Sequence, residues 1–319
     1  MLSKKHKLLI KKSISLFSVV RGYNIPILVL AQYLSAIFIL APEKAPLSVL
    51  FDFQLFILIL ASSLTVASGY IINNFYDSKK DLINRPTKSY IDRLVSQKTK
   101  LQVYFSLNFL VALIAFFVSF RAVLYFSVYI FGIWFYSHKI KRYAILGNVM
   151  AALLAVLPIF AIFLYYKNLY EVIVFHALFL YLILLVRELV KDLENIKGDL
   201  ANNYHTIAIT YGAQTSKAAI TVLLLLTIVP VYFLISVYDV GYMDAYFYFG
   251  FMVMLFFLQK LKTAQTKRDF LLLHNLLKFL IVAGVFCIVL IKPELLEKGI
   301  VWIGKYFWDK LSFFLGLNV

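Results

Sequence analysis

Residues 50–86 read LFDFQLFILILASSLTVASGYIINNFYDSKKDLINRP. The first part, 50–76, is an apolar run long enough to cross ~30 Å of hydrocarbon as an α-helix. Its end carries Asn73, Asp77 and Asp81. Spaced four apart, they form one polar stripe on a helix that continues past the membrane face. Like charges at that spacing repel, and carboxylates near hydrocarbon are costly unless paired or bound to a cation. A positive partner is therefore expected.

The rest of the chain has the same character. It has 319 residues, is 62% hydrophobic and has a mean hydropathy of +0.85, well beyond the ~45–50% apolar content of soluble domains. Further apolar runs at 23–41, 101–120, 122–137, 145–165, 170–191, 219–238, 242–258 and 273–291 bring the total to about nine spans. They are continuous rather than alternating, which excludes a membrane β-barrel. The expected fold class is an all-α, multi-pass integral membrane protein of the cell (inner) membrane.

The net charge of +16 raises the question of nucleic acid, but the basic residues follow the loops. Of 32 Lys and Arg residues, only Lys44, Arg121, Lys167, Lys292, Lys298, Lys305 and Lys310 fall on one side of the predicted membrane. The positive-inside rule then makes the N-terminus cytoplasmic, and no nucleic-acid partner is implied. Lys11 and Lys12 interrupt the first apolar stretch and no small-residue cleavage site follows, so a secretory signal is not expected. Residues 1–20 read as a basic amphipathic helix on the inner surface, 21–292 as the transmembrane domain, and 293–319 as an amphipathic tail in the headgroup plane. The single Cys287 lies within the last span and reads as packing.

A second acidic cluster, RELVKDLENIKGD (187–199), ends a later span as the first ends 50–76. Asp192 and Asp199 are seven apart with Asn195 between them, giving another stripe. Two similar halves of about four helices each would produce such a recurrence. Hard oxygen donors from Asp and Asn favour Mg²⁺ or Ca²⁺ over zinc. Mg²⁺ is usually held by one or two carboxylates, with substrate phosphates and water completing its shell. Two such stripes could bridge through metal to a diphosphate, and Arg85, Lys141, Arg142, Arg187 and Lys191 lie near the same membrane level. His138, His176, His205 and His274 have no metal-like spacing, and Asp52, Asp239 and Asp244 are expected to be solvated on the outer side.

These residues resemble the UbiA-type intramembrane prenyltransferases. Asn73, Asp77 and Asp81, continuing into Asn84–Pro86, look like that family's N-x-x-x-D-x-x-x-D with its NRP extension. YSHKIKR, from Tyr136 and Ser137 to Arg142, is similar to Y-S-x-x-L-K-R. Arg187 to Gly212 resembles R-E-x-x-K-D-x-x-D-x-x-G-D followed by Thr206 and a glycine. RGYN, with Arg21 and Asn24, resembles the opening of the family's first span. Asn195 stands where many members carry an Asp, and Asp192, three residues earlier on the same face, is expected to substitute.

The resemblance implies nine transmembrane helices around a central cavity, with both acidic motifs capping it on the cytoplasmic side. It implies Mg²⁺-dependent transfer of a polyprenyl group from its diphosphate to an acceptor. Asp77, Asp81, Asp192 and Asp199 would be catalytic, binding metal with Asn73 and Asn195. Arg21, Asn24, Asn73, Arg85, Tyr136, Ser137, Lys141, Arg142, Arg187 and Lys191 would bind substrate. The branch most resembled prenylates geranylgeranylglyceryl phosphate. Aromatic acceptors of quinone biosynthesis (4-hydroxybenzoate, dihydroxynaphthoate or homogentisate) are the alternative, and an ion-coupled transporter is a remoter one.

Overall fold

The computed structural model describes residues 4–295 except Leu169. Most of the expected C-terminal tail, from residue 296 onward, lies outside the described residues. Helix α1, Lys4–Val19, precedes the bundle. The described residues contain nine helices long and apolar enough to cross a membrane. They are α2 (Gly22–Leu40), α3 (Phe53–Asn84), α5 (Gln97–Phe116), α6 (Phe120–Arg142), α7 (Leu146–Tyr166), α8 (Glu171–Ala201), α9 (Gly212–Ser236), α10 (Gly241–Thr263) and α11 (Lys267–Ile291). The short α4, Pro86–Asp92, separates α3 from α5.

Both ends of α3 follow from local chemistry. Asp52 caps its start, accepting from the Gln54 and Leu55 amides at 3.0 and 3.2 Å, while the Tyr165 hydroxyl donates to its other oxygen at 2.8 Å. Asp52 is thus a structural cap rather than the solvated loop residue expected from sequence. At the other end Pro86 disfavours helical geometry at Arg85, and it then occupies the first turn of α4, where its missing N–H costs nothing.

The 32 residues of α3 and 31 of α8 each make a rod of roughly 45–48 Å at 1.5 Å per residue. Hydrocarbon is ~30 Å thick, so about three turns of each extend beyond it. Those extensions carry the two acidic motifs.

Helices α3 and α8 are also the hubs of the packing. Helix α3 touches α2, α5, α6, α7 and α8, while α8 touches α3, α7, α9 and α11. Along α8, Ile183, Val186, Leu189, Val190 and Leu193 form a buried stripe at helical spacing, in one cluster with Leu273, Leu277 and Leu280 of α11.

Polar groups inside the bundle are satisfied in pairs. Pro158 cannot donate to the Leu154 carbonyl four residues earlier, and the buried Tyr129 hydroxyl donates to that oxygen at 2.9 Å. Lys100, counted from sequence among the loop charges, is only 1% exposed. Its Nζ donates to Asn74 Oδ1 at 2.8 Å, and Asn74 Nδ2 donates to Asp92 Oδ2 at 2.9 Å. Asp92 also accepts from Lys88 at 2.6 Å and from Ser18 at 2.7 Å, so the network ties α1, α3, α4 and α5 together beneath the first motif.

Candidate active site

Two loops close over the extended ends of α3 and α8. After α6 the chain makes a tight turn at Ile145 (φ 60, ψ −61), with the Leu146 amide donating to the Ala144 carbonyl at 2.6 Å. This is a γ-turn of the strained, positive-φ kind, here on a β-branched residue. Gly147 follows, and a Cβ there would come within 3.3 Å of the Lys141 backbone. The loop after α8 pairs with it: the His205 amide donates to the Arg142 carbonyl at 2.8 Å, the one β-bridge among the described residues.

This pairing brings Lys141 and Tyr204 onto the same carboxylate. Asp77 Oδ1 accepts from Lys141 Nζ at 2.7 Å and from the Tyr204 hydroxyl at 2.9 Å. Lys141 also donates to Asn73 Oδ1 at 3.1 Å. Burial and the adjacent Asp77 carboxylate push the Tyr204 phenol above its ordinary pKa, so it stays a neutral donor. Lys80 Nζ lies 2.8 Å from Asp199 Oδ1 and 4.3 Å from the centre of the Tyr204 ring. Asn148 of α7 donates to Asp192 Oδ2 at 2.7 Å. The positive partners expected for these acids are therefore partly internal, as Lys80 and Lys141.

Of the residues named from sequence, Arg21, Asn73, Asp77, Asp81, Arg85, Tyr136, Lys141, Lys191, Asp192 and Asn195 line one cleft. Asp199 does not reach its wall; it is 1% exposed, behind Lys80. Ser137 is buried away from it, and Arg142, which does not line it, lies over the Tyr204 ring at 5.7 Å from the centre. Arg187 and Asn24 line a neighbouring cleft instead. Lys80, Asn148, Glu188, Tyr204 and Thr206 also line the first cleft, and none of them was named from sequence as a site residue. Lys80 reads as one more loop charge, and Tyr204 stands alone in a turn.

The donor set fits a hard divalent cation. Asn73, Asp77, Asp81, Asp192 and Asn195 present only oxygen ligands to the cleft, and the buried Oδ1 of Asn195 has no hydrogen-bond partner. Among the described residues no three His, Cys, Asp or Glu side chains converge into a metal cage of their own. An ion here would share its shell with phosphate oxygens and water, which is how Mg²⁺ is commonly held.

Residues 29–290 match the UbiA prenyltransferase family model. The chain belongs to that family. A digeranylgeranylglyceryl phosphate synthase of Saccharolobus solfataricus is 29% identical over 56% of this chain and 64% of its own length. A protein of the same name from Thermococcus sibiricus is 31% identical over 47% of this chain and 53% of its own length. These matches thus span less than two thirds of either relative. A solved structure concerned with digeranylgeranylglyceryl phosphate synthase superposes with a TM-score of 0.63 at 18% identity, covering 87% of this chain and 97% of that one. A UbiA homologue from Archaeoglobus fulgidus bound to GPP and Mg²⁺ superposes with a TM-score of 0.63 at 13% identity, covering 86% and 99%. At those identities the likeness is one of fold.

Proposed function

We propose that this protein transfers a polyprenyl group, geranylgeranyl, from its diphosphate to a membrane-associated acceptor, geranylgeranylglyceryl phosphate, with Mg²⁺. The observation that carries the reading is the single cleft where acids of α3 and α8 meet Arg21, Lys80, Arg85, Lys141 and Lys191. The names of the curated relatives support the acceptor, and the A. fulgidus homologue with GPP and Mg²⁺ supports the donor class.

In this reading Asp77, Asp81 and Asp192, with Asn73 and Asn195, would hold the metal, and Asp199 would act from behind the wall through its ion pair with Lys80. When bound, Mg²⁺ supplies positive charge against the diphosphate oxygens. Lys141, Arg85 and Arg21 donate to the same oxygens as the allylic C–O bond breaks and the electron pair leaves with the diphosphate. Arg187, Asn24 and Tyr136, which line the two clefts, shape and orient the substrates. The prenyl tail, worth ~0.8 kcal/mol of burial per CH₂, stays in apolar surroundings that exclude water from the allylic cation. The acceptor hydroxyl then forms the new C–O bond and releases its proton. The excess of Lys and Arg at this end of the bundle supports a cytoplasmic orientation, with the cleft at the inner leaflet.

Purified protein with Mg²⁺, labelled geranylgeranyl diphosphate and a panel of acceptors tests this. Diphosphate release and label transfer are expected with geranylgeranylglyceryl phosphate. Transfer only to a phenolic acid would replace the acceptor, and no release with any acceptor would remove the enzyme reading. Chelation by EDTA should stop transfer, and Mg²⁺ should restore it.

A further inference from the structure

Helix α11 carries charges that the proposed chemistry does not use, of which the fold engages Lys267, donating to the Asn84 carbonyl, and His274, paired with Glu194. Lys267, Leu271, His274, Asn275 and Lys278 fall on one face at helical spacing and line a second cleft. Lys278 lies about 16 Å along the axis from the helix start at 1.5 Å per residue. A lysine at that depth is costly unless its side chain reaches a polar surface, and the exposed Lys278 does so at this cleft. It makes no ion pair among the described residues; its Nζ sits 5.0 Å from the centre of the Tyr23 ring, which leaves the charge unneutralised.

The walls of this cleft are strongly basic. Arg21, Arg85, Arg187, Lys191, Lys267 and Lys278 face it, against the carboxylates of Glu188 and Glu194. Glu194 is held by Arg85 at 3.4 Å and His274 at 2.9 Å, and Glu188 by Arg187 at 3.4 Å and Lys191 at 2.6 Å. A surplus of positive charge remains.

Two neighbours define what fits. Arg21, Arg85, Glu188 and Lys191 also line the first cleft, so the two clefts share a wall. In the other direction, Leu271 and Asn275 continue into an open apolar groove with Leu272, Leu276 and Phe279, of which Leu272 is 49% and Phe279 55% exposed. A phosphomonoester carries a charge of about −1.5 to −2 at neutral pH. An amphiphile with such a head would seat it among these cations, lay its chains along α11 towards the bilayer, and present the neighbouring hydroxyl to the first cleft.

We propose that the cleft between α11 and the start of α2 binds the phosphate of the lipid acceptor. The identity of the occupant rests on the prenyl-transfer reading. Asn73, Asp77, Asp81, Asp192 and Asn195 line the first cleft and not this one, which separates this site from the one for the donor diphosphate.

The test is binding, not turnover. The full chain in phosphatidylcholine nanodiscs is titrated with oleoyl lysophosphatidate and with monoolein, which lacks the phosphate. Wild type should bind the phosphate lipid at least about tenfold more tightly, ~1.4 kcal/mol. Lys278→Gln should remove most of that margin and Lys278→Arg should keep it; Arg187→Gln is a second variant should Lys278→Gln fold poorly. Equal binding of the two probes, or a margin untouched by both neutral variants, would overturn the proposal. So would its loss in phosphatidylglycerol nanodiscs, where bilayer headgroups compete for the same cations. Asp81→Asn should bind both probes as wild type does while failing to transfer prenyl groups. A margin retained by a protein inactive towards every acceptor would count against the reaction and leave the phosphate site standing.

Discussion

Asn84 docks on the bare backbone of Gly198: its Oδ1 accepts from the Gly198 amide at 3.0 Å, and a Cβ on Gly198 would lie 2.3 Å from its Nδ2. One residue ends α3 in the extension of the first motif, and the other precedes Asp199 in the second. The contact therefore sets how far apart the two acidic helix ends stand.

Gly198→Ala is expected to push Asn84 off this amide. The overpacking and the lost buried hydrogen bond should cost about 1–3 kcal/mol, and the widened cleft should lower kcat. Thermal unfolding in detergent checks the first and steady-state transfer the second. An unchanged melting temperature would mean that the helix ends do not depend on this contact.

Asp77 and Asp81 should separate in their effects. The Asp81 side chain makes no hydrogen bond or ion pair among the described residues, its backbone carbonyl alone accepting from the Arg85 amide, so Asp81→Asn should cut transfer about a hundredfold or more with little loss of stability. Asp77→Asn should do both, because it leaves the buried Lys141 without its anionic partner, a loss of about 3–5 kcal/mol. Equal stability of the two variants would contradict the pairing described.

Asn74→Leu removes the bridge between Lys100 and Asp92. An amine that is 1% exposed then loses its acceptor, and a destabilisation of about 3 kcal/mol is expected. Lys100→Met in the same background should recover part of it. A double-mutant cycle on unfolding free energy reads the coupling.

Tyr129→Phe strands the Leu154 carbonyl that Pro158 leaves free. We expect a loss of about 1–2 kcal/mol with kcat unchanged, since Tyr129 lies outside both clefts. Pro158→Ala should abolish the difference between Tyr and Phe at this position.

Much of this was legible in the sequence because it is periodic. Apolar runs longer than the bilayer announce spans, and Asn73, Asp77 and Asp81 share a face whatever surrounds them. What was not legible is tertiary and aperiodic. Nothing in the sequence pairs Lys141 with Asp77 across 64 residues, because that contact depends on the γ-turn at Ile145 and the bridge to His205. Lys100 reads as a loop charge because a single lysine near a span's end has the same signature whether it meets water or Asn74. Lys278 has the same ambiguity, and only the fold shows the cations gathered around it.

Helices α3 and α8 outrun the hydrocarbon by about three turns, which separates the fates of what the proposed reaction makes. Pyrophosphate is released at the aqueous boundary and diffuses away, while the newly joined isoprenoid has never left oil and needs no carrier to return to it. Differing solubility alone then draws the products apart, helping to make each turnover one-way.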